Sequence, residues 1–221
     1  MIQHKRILII SDIEGSSQCR DYASTKFLGR GWPEACLGMS LDVNTVVKAL
    51  FNTGVQKIYI KDFHRTGYNI FPSLIDSRAC LISGYKRGPV PGLGSPYDAT
   101  GLIMLGMHAP SGTKGFLPHT LTSRIATLAV NNSLLSEAEL FAAILAPYNL
   151  TPLLFSGCPV ACGHAREKIP GLHTFNAPHN RSQRVEEHEV WRSRLGNHAI
   201  KSLTAAKTEP FRPKGPFITA V

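Results

Sequence analysis

Three short apolar runs in this chain each end in side chains able to bind a cation. Leu8-Ile9-Ile10 leads into Ser11-Asp12-Ile13-Glu14-Gly15. Lys57-Ile58-Tyr59-Ile60-Lys61 leads into Asp62-Phe63-His64, and Gly101-Leu102-Ile103-Met104-Leu105-Gly106 into Met107-His108-Ala109. An extended backbone sends alternate side chains to one side, so Asp12 pairs with Glu14, and Asp62 with His64. Two carboxylates on one side of a strand end repel, and a cation between them is the commonest remedy. The plainer alternatives are turn capping in solvent for Asp12, Glu14 and Asp62, and an exposed loop position for His64. Three strand ends carrying the same ligand chemistry favour one shared site. In an open parallel sheet that site lies beyond the carboxyl ends of the strands.

The elements that must position these groups read as α/β. The strand at Leu8–Ile10 is followed by a long polar loop over Gly15–Gly38. A helix over Leu41–Phe51 comes next, with Val43, Val46, Val47 and Leu50 on one stripe and Gly54 as its stop. The strand Lys57–Lys61 completes a βαβ unit, the signature of a mostly parallel central sheet flanked by helices. Further strands are expected at Ala79–Ser83, Gly101–Gly106, Ile125–Val130 and Leu153–Phe155, with loop between Gly84 and Pro96. Ser136 opens a helix, and Ser136-x-x-Glu139 is a capping box, which assigns Glu139 a structural role. Helices are expected over Val160–Lys168 and Glu186–Ala206. Phe217–Val221 reads as a terminal strand without a partner.

The 221 residues are 43% hydrophobic and 18% charged. That composition suits one α/β domain over 1–221, with a core over about 1–155 and a basic, less regular part over about 156–221. No apolar run approaches the ~20 residues of a membrane helix. The basic start, Met1–Arg6, precedes too short an apolar stretch for a secretory signal. Five scattered cysteines, Cys158 and Cys162 among them, read as reduced thiols in a cytoplasmic protein. The net charge is +9, and residues 164–221 hold 10 Lys+Arg against 5 Asp+Glu. The arginines are dispersed and no aromatic-interleaved basic run occurs, which argues against nucleic acid; an anionic substrate accounts for the charge equally well.

Taken together, Ser11-Asp12-Ile13-Glu14-Gly15, Asp62-Phe63-His64-x-x-Gly67-x-Asn69, Leu105-Gly106-Met107-His108-Ala109, His119-Thr120 and Glu137 resemble the zinc-dependent D-aminopeptidase family. These are metallopeptidases encoded with bacterial dipeptide transporters. The resemblance runs from about Ile7 to about Leu154. It implies two zinc ions per chain, Mn²⁺ being another candidate, held by Asp12, Glu14, His64, His108 and Glu137, with Asp12 shared. It implies His119 as the catalytic histidine, a metal-bridging hydroxide as nucleophile, a short peptide substrate with or without D-residues, and a homo-oligomer. Asp62 is not carried over as a ligand; it is a candidate to orient a neighbour.

Two departures stand out. Gly157-Cys158-Pro159 replaces an acidic Gly-Asp-Asp segment of the family, and the sequence given stops at Val221 where the family continues into a further small segment. They keep open a muropeptide or other cell-wall-peptide amidase and a catalytically inactive peptide-binding homologue. A metallophosphoesterase fits less well, since the first motif is Asp-x-Glu and no Gly-Asn-His element occurs.

Overall fold

The structure, a computed structural model, describes residues 3–177 and 185–221. Met1 and Ile2 of the basic start lie outside the described residues. Six strands form the central sheet: β1 (Arg6–Ser11), β2 (Lys57–Asp62), β3 (Cys80–Ile82), β4 (Gly101–Met107), β7 (Thr151–Gly157) and β8 (His173–Asn176). Their spatial order is β3-β2-β1-β4-β7-β8, and every neighbouring pair is parallel. The order reverses between β1 and β4, so connections leave to opposite sides there and open a crevice at the carboxyl ends.

Both faces of the sheet are covered, which explains why its strands read as nearly continuous apolar runs. Ile7 and Ile9 pack with helix α1 (Trp32–Asn52) and helix α4 (Val185–Ala205) through Met39, Val43, Val46, Leu50, Leu195 and Ala199. Leu8 and Ile10 point the other way. They pack with α2 (Glu137–Leu145) and α3 (Pro159–Lys168) through Phe141, Leu145, Cys162 and Ala165. The period-two alternation of β1 thus divides the core into two layers. Among the described residues no helix is long and apolar enough to cross a membrane.

Several boundaries differ from expectation. The loop expected up to Gly38 is already helical from Trp32: Gly31 caps the start with φ +83°, Pro33 occupies the first turn, and Ala35, Cys36 and Met39 extend the buried stripe. Gly38 sits where a Cβ would meet the Gln18 side chain, so the glycine that reads as loop serves close packing instead. The Ile125–Val130 strand shrinks to β5 (Ala129–Val130), which turns through Asn131-Asn132 into β6 (Ser133–Leu134). Both asparagines have positive φ, as a tight hairpin demands. The terminal strand has a partner after all, since β9 (Thr219–Ala220) pairs antiparallel with β5. Strand β8 is new: His173–Asn176 is too short and polar to signal itself, and it is held as an edge by β7. The capping box is present, with Ser136 Oγ accepting from Glu139 N and Glu139 accepting from Ser136 N at 2.8 Å.

Candidate metal centre

The two strands at the reversal point bring the first and third motifs together through glycine. Gly15 N donates to Gly106 O at 2.7 Å, and Asp12 N to Leu105 O at 2.9 Å. A Cβ on Gly15 would lie 2.2 Å from Met107 O, and one on Gly106, whose φ is +69°, would lie 2.1 Å from Asp12 O. No side chain fits at either place. The β4–β7 register shifts between Met104 and Met107, a local irregularity beside Gly106 that re-aims the chain leading to His108.

The second motif joins across β2. Asp62 is buried and accepts from Ile70 N (2.8 Å) and from Asn69 Nδ2 (2.9 Å), while the same Asn69 amide donates to His64 O (2.7 Å). Asp62 therefore holds the loop that carries His64 and does not face the cluster as a ligand, in keeping with its expected orienting role. His119 is tied beside His108 by its own N–H, which donates to Ala109 O at 3.1 Å, and the two rings stack at 3.7 Å. Glu137 opens α2, and its Oε1 accepts from Leu121 N at 2.8 Å.

All six residues converge. Asp12, Glu14 and His64 form one triad of ligand atoms, and His108, His119 and Glu137 a second. Asp12 links them: Oδ1 lies 3.0 Å from His64 Nδ1, and Oδ2 lies 3.4 Å from His108 Nε2. Glu14 Oε2 is 3.1 Å from His64 Nδ1, Glu137 Oε1 is 3.5 Å from His108 Nε2, and Glu14 Oε1 is 3.9 Å from His119 Nε2. Asp12, Glu14, His64, His108 and Glu137 are buried, whereas His119 keeps 19% of its side chain exposed and faces the cleft.

The backbone fixes how each imidazole is used. His64 Nε2 donates to Thr25 O (2.8 Å), His108 Nδ1 to Ala109 O (3.1 Å), and His119 Nδ1 to Leu117 O (2.9 Å). A carbonyl only accepts, so those nitrogens carry the hydrogen and the opposite nitrogen of each ring is aimed at carboxylates. A lone pair aimed at an anion is repelled unless a proton or a metal lies between. Burial alone would lower the histidine pKa values, but the carboxylates reverse this. Glu14 and Asp12 hold His64 up at about 11, and Glu137 and Asp12 hold His108 up at about 10. Asp12 is held well below the usual carboxylate range against its burial, by hydrogen bonding and by the charges of His64 and His108. Glu14 Oε2 and His108 Nε2 are buried without a hydrogen bond. A nitrogen and oxygen donor set, with backbone-fixed tautomers and buried atoms left over, fits borderline divalent cations such as zinc.

Motif reasoning missed the carbonyls of Thr25, Ala109 and Leu117, because backbone acceptors leave no trace in residue types. It also missed Lys61, which lines the same cleft. The departure at Gly157-Cys158-Pro159 has a structural account. Cys158 caps α3, its Sγ accepting from Ala161 N and Phe116 N, so the thiol takes the place of a capping oxygen.

The chain resembles known proteins over this whole region. A D-aminopeptidase from Bacillus subtilis (strain 168) is 27% identical over 165 residues, covering 74% of this chain. The chain spans 60% of that relative's length. The fold matches the solved structure of the Zn-dependent D-aminopeptidase DppA from Bacillus subtilis, a self-compartmentalizing protease, with a TM-score of 0.82 and 22% identity over 96% of this chain and 80% of that one. The model of peptidase family M55, the D-aminopeptidases, matches residues 5–221, and the chain belongs to that family.

Proposed function

We propose that this chain is a zinc-dependent peptidase of the D-aminopeptidase kind, removing amino-terminal residues from short peptides. The observation that carries this reading is the set of three imidazoles, each fixed by a backbone carbonyl and aimed at Asp12, Glu14 or Glu137. Asp12, Glu14 and His64 would hold one cation, and Asp12, His108 and Glu137 a second. Two such cations, when bound, acidify a water and polarise an amide carbonyl.

The chain's own residues do the rest. His119 is stacked on His108 and open to the cleft, so its Nε2 is placed to exchange protons with a bound substrate. Water adds to the carbonyl carbon, the C–N bond breaks, and His119 Nε2 passes the proton from the water to the departing amine. Leu117 O, accepting from His119 Nδ1, keeps the ring turned for this transfer. Asp62 and Asn69 hold the His64 loop rigid, which limits the cost of bringing the reacting groups into register. An assembly of several copies and a cytoplasmic location belong to the same proposal; the five cysteines are free, which suits a reducing compartment.

A library of L- and D-amino-terminal dipeptides, assayed with added zinc, manganese or chelator, tests the reading. Metal-dependent release of the first residue, with preference for the D-series, is the expected result. A protein that carries metal and cleaves no peptide in the library would overturn it.

A further inference from the structure

The cleft that holds the cluster has a volume of about 700 Å³, and aromatic and aliphatic side chains line it beside the ligand types. Phe63, Phe141, Ile144, Tyr85 and Gly92 line this cleft together with the cluster's own residues. Lys61 also lines the cleft, although the residue is only 1% exposed. Strand β2 explains the position: Lys61 alternates with Asp62 and shares its face with Tyr59, which belongs to the core layer beneath α2.

A buried ammonium is costly unless it is paired. Lys61 Nζ donates to the carbonyl of Gly84, its acceptor among the described residues. An ammonium has three donors, so capacity is left over. The neighbouring carboxylate, Asp62, is committed to Asn69 and Ile70, and no carboxylate forms an ion pair with Lys61 among the described residues. Lys86 adds a second positive charge nearby. An apolar residue at this position would simply extend the core, so the charge calls for a partner from the cleft.

We propose that Lys61 is a specificity-determining residue that binds a carboxylate of the substrate at the inner end of the cleft. The inference rests on the peptidase reading and narrows it to carboxylate-bearing peptides. That carboxylate has two sources: the side chain of an acidic residue, or the free C-terminus of a dipeptide.

Two isosteric pairs separate them. D-Glu-D-Ala-amide against D-Gln-D-Ala-amide tests the side chain, and D-Ala-D-Ala against D-Ala-D-Ala-amide tests the terminus. The zinc-loaded wild type is expected to favour the acid in one pair by about tenfold to a hundredfold in kcat/KM, as a charge-assisted hydrogen bond allows. Lys61→Met should bring that ratio close to one, and Lys61→Arg should keep part of it. The wild-type ratios need no variant, so they remain decisive if Lys61→Met does not fold. Ratios near one in both wild-type pairs, or a preference that survives in Lys61→Met, overturn the inference while leaving the peptidase reading intact. Failure of the metal-loaded protein to hydrolyse any of the four peptides and any member of the dipeptide library defeats the peptidase reading instead.

Discussion

Two buried charged clusters flank the loop that follows β1, and they are built on opposite plans. Behind the loop, Ser17 N and Oγ donate to Asp42 at 2.8 and 2.7 Å. Arg192 Nη1 of α4 donates to Ser17 Oγ at 3.2 Å and lies 3.7 Å from Asp42 Oδ1. Burial pushes the Asp42 carboxyl up to about 6, against the pull of those donors and the guanidinium. Each polar group named there has a partner within the protein. In front of the loop, Asp12, Glu14, His64, His108 and Glu137 converge with Glu14 Oε2 and His108 Nε2 left without a hydrogen bond. Ser17 stands only three residues beyond Glu14. Folding pairs the groups named in the first cluster; in the second it leaves two buried donor-set atoms without a hydrogen bond. Buried groups left incomplete are therefore a better sign of function than burial of charge as such.

The largest effects should come from breaking the incomplete cluster. Asp12→Ala removes the carboxylate that touches both His64 and His108. It should abolish zinc binding at the stoichiometry measured by metal analysis and reduce peptide hydrolysis at least about a thousandfold. His119→Ala makes the sharper contrast. It removes a group outside the set assigned to hold metal, so zinc content should stay near wild type while kcat falls about a hundredfold to ten-thousandfold. Equal loss of metal in both variants would place His119 among the ligands, not as the proton carrier.

The same contrast explains what could be seen in the sequence. The strand ends and their ligand types were legible, because a buried parallel strand is apolar throughout and any polar residue at its downstream end stands out. The Ser136-x-x-Glu139 cap was legible from spacing alone. The first turns of α1 were hidden by Gly31, Pro33 and Gly38, whose backbone roles look like loop when their neighbours are unknown. Strand β8 was hidden because an edge of four residues gains its order from β7 and not from its own pattern. The Asp42–Arg192 contact joins residues 150 positions apart through tertiary packing, and neither residue sits in a motif. Lys61 gave no signal of its own, since nothing in Lys-Ile-Tyr-Ile-Lys says which of its lysines is buried.

The finished cluster should answer to stability and not to metal. Asp42→Ala leaves Arg192 buried without its carboxylate and should cost about 3–5 kcal/mol in urea unfolding, with zinc stoichiometry kept in the folded protein. Asp42→Asn, which keeps the shape and an acceptor for Ser17, should cost less. Loss of zinc from folded Asp42→Asn would mean that the two clusters are one unit, and the division drawn between them would fail.

Lys61 gives the smallest of these effects and decides to which plan it belongs. Burial lowers its pKa from 10.5 to about 8, opposed by Asp62 and aided by Lys86. Below pH 8 both folded and unfolded chains hold the proton, and the folded state carries the full penalty. Between pH 8 and 10.5 the unfolded chain binds more protons than the folded one, so stability must rise with pH across that window. The whole rise amounts to about 3 kcal/mol at the usual conversion for a pKa shift of this size. Lys61→Met should be more stable than wild type at pH 7 and should lose this component of the slope; the difference between the two proteins cancels the tyrosines and cysteines that titrate in the same range. A stabilising loss of charge is expected of a group kept for binding at the expense of folding. If chemical denaturation at pH 7, 8.5 and 10 instead shows parallel curves, the ammonium is satisfied within the protein, and Lys61 sits with Asp42 and Arg192 among the groups that folding completes.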